Sequence, residues 1–338
     1  MNISDRKKKI LAAVIDEAAN SSEPVSSKQL QENYLSDFSS SLIRSELATL
    51  EELGLLYHPH TSSGRLPTVE GIKYYLNEMV PEVKAKASSL ISVFDASLDN
   101  VSNALKTTAK KISEATNYTS IMSISLYDFA IIENVKLLKI DKENALVALI
   151  TDRGTVRDVI SLSMEEGELE SLSGMLTDIF KGKTLRQIEN SDFIISKEIE
   201  KYKYLFECIV LMVAKRDEQE NRLAIEGKNK LFDYKEFSSV DKMKSAMNLL
   251  YEPNTLEDIL IDEDETEDGI KTIIEENENS PSKDCAIVTA NLKIGDKTIG
   301  KVGVLGPVMM DYKNVISLLK GLANEISERL NKPYNKGE

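Results

Sequence analysis

The chain has 338 residues, more than one hydrophobic core usually fills, so two or three domains are expected. With 41% hydrophobic and 29% charged residues the composition excludes wholesale disorder, and two cysteines among apolar neighbours exclude a disulfide framework. The overall net charge of −14 argues against nucleic acid as a partner, because phosphate binding depends on Lys and Arg.

The start of the chain, MNISDRKKKI, contains no long apolar leader core. No uninterrupted apolar run approaches the roughly 18 residues that a bilayer-spanning helix needs. We therefore expect a cytoplasmic protein without membrane contact.

Two helices are predicted first. The segment RKKKILAAVIDEAA has Asp5 as a plausible N-cap and places one apolar face at helical spacing, formed by Ile10, Leu11, Val14, Ile15 and Ala18. Pro24 stops this helix. Ser26 can cap a short second helix, SSKQLQENY, which would bury Leu30.

A third helix, SSLIRSELATLEEL, follows serines 39–41 as N-cap candidates and ends at Gly54. Its apolar stripe is Ile43, Leu47, Leu50 and Leu53. The opposite face carries mostly short side chains, namely Ser40, Ser41, Arg44, Ser45, Ala48 and Thr49. Such a face suits a helix that enters the DNA major groove, but the helix alone is equally consistent with a weakly charged surface.

The stretch HPHTSSGRLPT at 58–68 favours the first interpretation. LLYHP is typical of a short strand, TSSG of a turn, and RLPT of a return strand, after which Thr68 caps a helix. Three helices and a small hairpin predict a winged helix-turn-helix, with this hairpin as its wing. A serine nucleophile lacks a base held by a third group, and HxH lacks a further metal ligand, so both alternatives are disfavoured.

These elements predict an interface with double-stranded DNA. We expect Ser40, Ser41, Arg44 and Ser45 to face the major groove, with Arg44 as the principal base reader. We expect phosphate and sugar contacts from Lys7, Lys8, Lys28, His60, Thr61, Ser62, Gly64 and Arg65. Residues 1–80 contain eight basic and eleven acidic side chains, so binding must depend on where the charges stand.

The remainder predicts a mixed helix and sheet body. Residues 81–116 are helical and link it to the first domain. An antiparallel sheet is suggested by four segments with strand patterns, YTSIMSISLY, NVKLLKID, NALVALIT and TVRDVIS. Residues 164–220 return to helical spacing, and KYLFECIVLMVAK there suits a subunit interface or a deep core. CAIVTANLKIG and KTIGKVGVLG are further strands before a closing amphipathic helix.

Other chemistry is not predicted. DETEDGIKTIIE at 264–275 has part of the calcium-loop spacing, but Thr266 and Lys271 disagree with it, TIIE is typical of a strand, and an acidic loop is the better interpretation. We predict no metal, no cofactor and no enzymatic activity, because no phosphate loop, Cys/His cluster or acid–base pair stands out.

Long stretches carry a family resemblance. The chain resembles the HrcA family of bacterial heat-inducible transcription repressors in four segments. They are EPVSSKQL, SSSLIRSELATLEELGLLYHPHTSSGRLPTVEGIKYYL, NALVALITDRGTVRDVIS and KDCAIVTANLKIGDKTIGKVGVLGP. The resemblance implies a homodimer that binds an inverted repeat upstream of chaperone operons. It also implies that the chaperonin GroEL keeps the repressor active.

The implied fold class is α+β and multidomain: a winged helix-turn-helix, then a GAF-like antiparallel-sheet domain that carries an inserted dimerising segment. The expected boundaries are 1–80 for the winged helix, 81–116 for the helical linker, 117–163 and 222–338 for the GAF-like domain, and 164–221 for the insertion. The family usually has Thr-Ile-Arg-Asn where this chain has Leu42, Ile43, Arg44 and Ser45. Without that asparagine, base preference should differ at position 45.

Two other functions stay open on the residues alone. One is a sensor of a small molecule or protein whose winged helix has become an interaction module, which the acidic balance of residues 1–80 allows. The other is an enzyme built on the second domain, for which no candidate constellation exists.

Overall fold

The computed structural model describes residues 3–21, 23–60, 64–79, 84–85, 100–126, 129–189, 202–219, 223–251, 256, 269–274 and 284–331. The N-terminal region forms the predicted three helices, a two-stranded hairpin and a further helix. These elements are α1 Asp5–Ser21, α2 Ser27–Asn33, α3 Ser40–Glu52, β1 Leu56–Tyr57, β2 Leu66–Pro67 and α4 Val69–Glu78.

The predicted helix caps of α2, α3 and α4 are confirmed. Ser26 forms a reciprocal capping box with Gln29, Ser39 accepts from the backbone of the third helix, and Thr68 Oγ1 accepts the backbone N–H of Gly71 at 3.0 Å. Asp5 is wrong as an N-cap, because it is already the first helical residue of α1.

The first core is largely the predicted one. The five apolar residues predicted for α1 are all buried, as are Ile43, Leu47 and Leu50 of α3. Leu53 is the exception, at 42% exposed. It lies one residue beyond the end of the helix, where the chain turns through Gly54 at φ +75°, so it no longer shares the helix's apolar stripe.

The rest of the described chain contains two antiparallel sheets, six α-helices and two 3₁₀ helices. The strands are β3 Thr119–Ile124, β4 Ile132–Lys139, β5 Asn144–Thr151, β6 Gly154–Ser161, β7 Leu223–Glu226, β8 Ile270–Ile274, β9 Cys285–Ile294 and β10 Lys297–Pro307. The helices are α5 Val101–Thr116, α6 Glu166–Phe180, α7 Leu185–Glu189, α8 Lys203–Gln219, α9 Val240–Tyr251 and α10 Tyr312–Leu330. Two 3₁₀ helices occupy Lys228–Asp233 and Lys235–Phe237.

The sheet topology differs from the prediction that the four strand segments between 117 and 163 form one sheet. β3 belongs to a five-stranded sheet of order β7-β3-β10-β9-β8, whereas β4, β5 and β6 form a sheet of their own. Met122 of β3 pairs with Val302 of β10, far along the chain. Strand periodicity identifies a strand but not its partner, and this partner is non-local.

Helices cover both faces of the five-stranded sheet. α5 and α10 pack on the face that carries Met122, Val288 and Val304. The 3₁₀ helices and α9 pack on the opposite face over Ile121 and Ile287. This sheet therefore lies at the centre of a three-layer unit.

The three-stranded sheet has one covered face. α6 packs against β4, where Ser173 Oγ accepts the backbone N–H of Leu137 at 2.9 Å and Thr177 Oγ1 accepts that of Val135 at 3.0 Å. Arg153, in the turn between β5 and β6, donates from Nη2 to the carbonyl oxygen of Leu330 at 2.7 Å. That hydrogen bond joins this sheet to the C-terminal end of α10 and satisfies one of its terminal carbonyls.

The N-terminal region meets the body through α1 and the turn before α2. Asp16 of α1 accepts a hydrogen bond from the Tyr75 hydroxyl at 3.4 Å, and burial raises the pKa of the Asp16 carboxyl despite the opposing charge of Lys313 of α10. Glu23 forms an ion pair with Lys235 of the body. These contacts leave the outward side chains of α3 uncovered.

Candidate nucleic-acid interface

The outward face of α3 presents three of the four predicted base-reading side chains. Ser41, Arg44 and Ser45 are all exposed, and Arg44 makes no ion pair with any residue in the described part of the chain. The apolar stripe of the same helix holds it against α1 and α2. A helix fixed in this way offers a slim polar surface with one long cationic side chain.

Ser40 is placed differently from its neighbours. Its side chain is half-buried and its Oγ lies 3.1 Å from Ser27 Oγ, so the two hydroxyls share a hydrogen bond between the starts of α3 and α2. This bond links the N-terminal ends of the two helices. The structure therefore brings Ser41, Arg44 and Ser45 together outward and turns Ser40 toward its neighbouring helix.

The wing, residues 56–67, is a hairpin with an additional bridge to the chain before α2. Leu56 pairs with Pro67, and Val25 and Arg65 exchange both backbone hydrogen bonds at 2.9 Å. A Cβ on Gly64 would lie 2.4 Å from the carbonyl carbon and oxygen of Val25, so only glycine permits this approach. The predicted contacts Thr61 and Ser62 lie outside the described residues.

One carboxylate joins the wing to α3. Arg65 donates to Glu51 Oε2 from Nε at 3.1 Å and approaches it with Nη2 at 3.0 Å, and its side chain is only 13% exposed. His58 places Nε2 at 3.4 Å from the same oxygen and Nδ1 at 3.1 Å from the carbonyl oxygen of Gly64. Sequence reasoning missed Glu51 and His58, because Glu51 looks like an ordinary solvated residue of a helix surface.

The predicted phosphate-binding lysines have acidic partners to different degrees. Lys7 lies 3.0 Å from Glu46 and Lys8 lies 2.9 Å from Glu78, and both lysine side chains are partly buried. Lys28 is 79% exposed and lies 3.8 Å from Glu32, which is also exposed, so this ion pair contributes little to stability. His60 lies exposed next to the wing tip. Lys28 is therefore better placed to meet a partner than Lys7 and Lys8.

Glu46 is a buried acid on α3 that anchors α1. Arg6 donates to its Oε1 at 2.6 Å and Lys7 lies near its Oε2. Burial by itself raises the pKa of this carboxyl, but the hydrogen bonds from Lys7 and Arg6 outweigh burial and the pKa is lowered from 4.5. Glu46 thus stabilises the fold above its unfolded-state pKa, and this contribution is lost as the pH falls through its folded-state pKa.

A Glu46→Gln variant is therefore expected to unfold more easily at neutral pH, by about 1–3 kcal/mol, because it loses hydrogen bonds to a charged group. Urea unfolding at pH 7 and pH 4 measures this, and the difference from the wild type should shrink at pH 4. Glu32→Gln is the control, since that exposed carboxylate should change stability by less than about 0.5 kcal/mol. Equal losses in both variants, or a loss that does not depend on pH, would contradict the role of Glu46.

The described residues offer little other chemistry. They include no group of three His, Cys, Asp or Glu side chains placed to hold a metal ion, and they form no helix long and apolar enough to cross a bilayer. Burial raises the pKa of Cys285 to about 12, so this thiol stays protonated, whereas Cys208 is half-buried. Of the acidic loop at 264–275, Gly269 and strand β8 are described, and β8 confirms the predicted strand.

Comparison with known proteins extends over almost the whole chain. A family model described as HrcA protein C terminal domain matches residues 102–316. A protein of Clostridium perfringens (strain 13 / Type A) named heat-inducible transcription repressor HrcA is 29% identical over 340 residues, covering 97% of this chain and 99% of that protein. A protein of the same name from Ruminiclostridium cellulolyticum is 30% identical over 352 residues, with 100% of each chain covered.

One solved structure shares the fold. A crystal structure of a hypothetical protein at 2.2 Å resolution matches with a TM-score of 0.66 and 20% identity, covering 98% of this chain and 100% of that one. The likeness therefore includes both the N-terminal helices and the two-sheet body.

Proposed function

The chain belongs to the HrcA family of heat-inducible transcription repressors, and from this premise we propose that it represses chaperone operons by binding an inverted-repeat operator as a dimer. The observation that carries the DNA-binding part is the outward face of α3, where Arg44 stands exposed between the short side chains of Ser41 and Ser45. In this family the protein is a repressor and not an enzyme.

In the proposed complex α3 is the reading helix. The major groove is about 12 Å wide and admits a helix whose exposed side chains are short near its N-terminus. Arg44 can donate two hydrogen bonds to O6 and N7 of guanine, while Ser41 and Ser45 add weaker contacts on either side. Ser40 supports this surface from behind through its bond with Ser27.

Phosphate contacts complete the proposed interface. Lys28 and His60 are exposed, and we include Thr61, Ser62 and the backbone of Gly64 in the wing. The other expected contacts, Lys7, Lys8 and Arg65, would first have to exchange an acidic partner for phosphate. Few accessible cations and the net charge of −14 together predict weak non-specific binding and a modest salt dependence.

The dimer is proposed to form through the unit that leaves the five-stranded sheet after β3 and returns at β7. We propose that this inserted unit comprises β4–β6 and α6–α8, residues 129–219, a wider range than the 164–221 expected from sequence. The remaining three-layer unit around the five-stranded sheet would be the GAF-like domain. On α8, Tyr204 and Leu211 are each 57% exposed and lie two turns apart on one face, as a subunit interface requires.

Leu211→Glu is therefore expected to turn a dimer into a monomer, because a carboxylate would be buried in the interface without a partner. Light scattering after gel filtration over a range of concentrations measures the mass. Val240→Glu, at an 81% exposed position at the start of α9, is the matched control and should leave the dimer intact. A Leu211→Glu protein that stays dimeric would place the interface elsewhere.

Modulation by the chaperonin GroEL is the third part of the proposal. The uncovered face of the three-stranded sheet presents the cross-strand row Leu138, Leu146 and Val159, of which Leu138 and Val159 are about half exposed. Exposed apolar rows of this kind mark sites of protein interaction. The proposal places the protein in the cytoplasm, where its operator would lie.

The decisive test is fluorescence anisotropy with a labelled duplex that carries a spaced inverted repeat from a chaperone promoter. A scrambled duplex of equal length is the control, and each titration is repeated with GroEL present. Selective binding of the repeat supports the repressor. No selectivity, even with GroEL, would favour the sensor whose winged helix binds protein, which the acidic partners of Lys7, Lys8 and Arg65 also allow.

A further inference from the structure

A cluster of polar contacts at the base of the wing converges on Glu51 in the last turn of the reading helix. Its Oε2 lies within 3.0–3.4 Å of Arg65 Nη2, Arg65 Nε and His58 Nε2. We infer that Glu51 is a positioning residue that sets the place of the wing relative to the reading helix. This inference rests on the proposed DNA-binding function.

The cluster includes a residue next to each of the two strands of the wing. His58 follows β1, and Arg65 precedes β2. The His58 ring contacts Glu51 through one nitrogen and the carbonyl oxygen of Gly64 through the other, so it bridges the two sides of the tip. The Val25–Arg65 backbone bridge holds the base of the hairpin. The base of the hairpin is therefore tied to α3 by side chains.

In this geometry Arg65 is not placed for the direct phosphate contact that the sequence predicts. Its guanidinium is turned inward, is 13% exposed and already has a carboxylate as its partner. A direct contact would require that pair to open, with loss of charge-assisted hydrogen bonds. Arg65 instead acts through the base of the wing, which is then held in a constant place relative to Arg44.

Electrostatics alone predicts the opposite sign for removal of Glu51. Deleting a negative charge beside a DNA-binding helix should strengthen binding, because the protein is already acidic. A positioning role predicts weaker binding despite the more favourable charge. The sign of the change in affinity therefore separates the two accounts.

The experiment compares Glu51→Ala with Glu52→Ala in the full chain. Glu52 is the next residue of the same helix and is exposed, so both variants lose one carboxylate and make the same change in helix propensity. Affinity for the inverted-repeat duplex is measured by anisotropy over a salt series. Glu51→Ala is expected to bind about tenfold more weakly with little change in the log–log salt slope, because no Lys or Arg contact to phosphate is lost. Glu52→Ala should bind as tightly as the wild type or tighter.

The double variant tests whether Glu51 acts through Arg65. If it does, Glu51→Ala combined with Arg65→Ala should bind no more weakly than Arg65→Ala alone. Additive losses would mean that Arg65 contacts DNA independently of Glu51, and would overturn the inference. So would a Glu51→Ala protein that binds as tightly as Glu52→Ala.

Hydrogen exchange of the free protein separates this inference from the repressor proposal. In Glu51→Ala the wing amides of Tyr57 and Arg65 should exchange faster, while those of α1 keep their wild-type protection. Faster wing exchange with unchanged selective DNA binding would overturn the role of Glu51 and leave the repressor proposal standing. A wild-type chain that does not select the repeat would overturn the proposed function, and with it the meaning of the cluster for DNA binding.

Discussion

An Arg44→Ala variant is expected to lose selective binding to the inverted repeat while keeping its fold. Arg44 is exposed on the reading helix and contacts no acidic side chain in the described part of the chain, so its removal leaves no buried group without a partner. One good bidentate contact to guanine contributes about 1–3 kcal/mol of discrimination. A dimer makes this contact in each of two half-sites, so the lost binding free energy is doubled. The loss corresponds to roughly 30-fold to 10⁴-fold in affinity.

Lys28→Ala provides the comparison for this result. Lys28 is exposed at the start of α2 and is proposed to bind phosphate, so its removal should weaken binding to repeat and scrambled duplexes alike. It should also reduce the salt slope by about 1 for each phosphate that is no longer neutralised. Anisotropy with both duplexes separates the two patterns. If Arg44→Ala weakened both duplexes equally, Arg44 would bind phosphate and the base reader would be another residue.

Gly71→Ala is expected to destabilise the winged helix although alanine is the better helix former. An added Cβ would lie 2.1 Å from the carbonyl oxygen of Leu55, just before β1. That oxygen accepts the backbone N–H of Thr68 at 3.1 Å, so it cannot move away without breaking the bond that joins the wing to α4. Forcing an extra carbon into such a contact typically costs about 1–3 kcal/mol or more. This exceeds the ~1 kcal/mol gained from helix propensity.

Gly174→Ala in α6 is the matched substitution. No atom lies within 4 Å of a Cβ built at this position, so the gain in helix propensity should appear undiminished as a rise of roughly 0.5–1 kcal/mol. Urea unfolding followed by circular dichroism measures both variants. A fall in stability for Gly71→Ala and a rise for Gly174→Ala are expected, whereas equal changes would show that α4 and β1 do not approach each other so closely.

The proposed heat-shock regulation depends on the body of the protein as well as on the winged helix. The Arg153–Leu330 hydrogen bond and the Glu23–Lys235 ion pair join neighbouring units. Interfaces between units of one chain are often small enough for relative motion. We propose that a chaperonin bound to the body changes the spacing of the two reading helices of a dimer, a spacing that has to match the separation of the half-sites.

The sequence by itself determined the features that depend on neighbouring residues. The caps at Ser26, Ser39 and Thr68 are hydrogen bonds across three residues, and the buried stripes follow from helical periodicity. The order of three helices and a hairpin, and with it the exposed position of Arg44, could be predicted for the same reason. These interactions are already specified within one or two turns of the chain.

Only the tertiary structure decided which distant residues meet. β3 pairs with β10 and not with β4, because strand periodicity does not select a partner. Arg65 binds Glu51, Lys8 binds Glu78, and Ser40 turns to Ser27. The carboxylate at Glu51 acquires its place beside the wing only when packing brings the hairpin back against α3. Charges and hydroxyls find partners through the fold, and sequence spacing carries no signal of contacts made in that way.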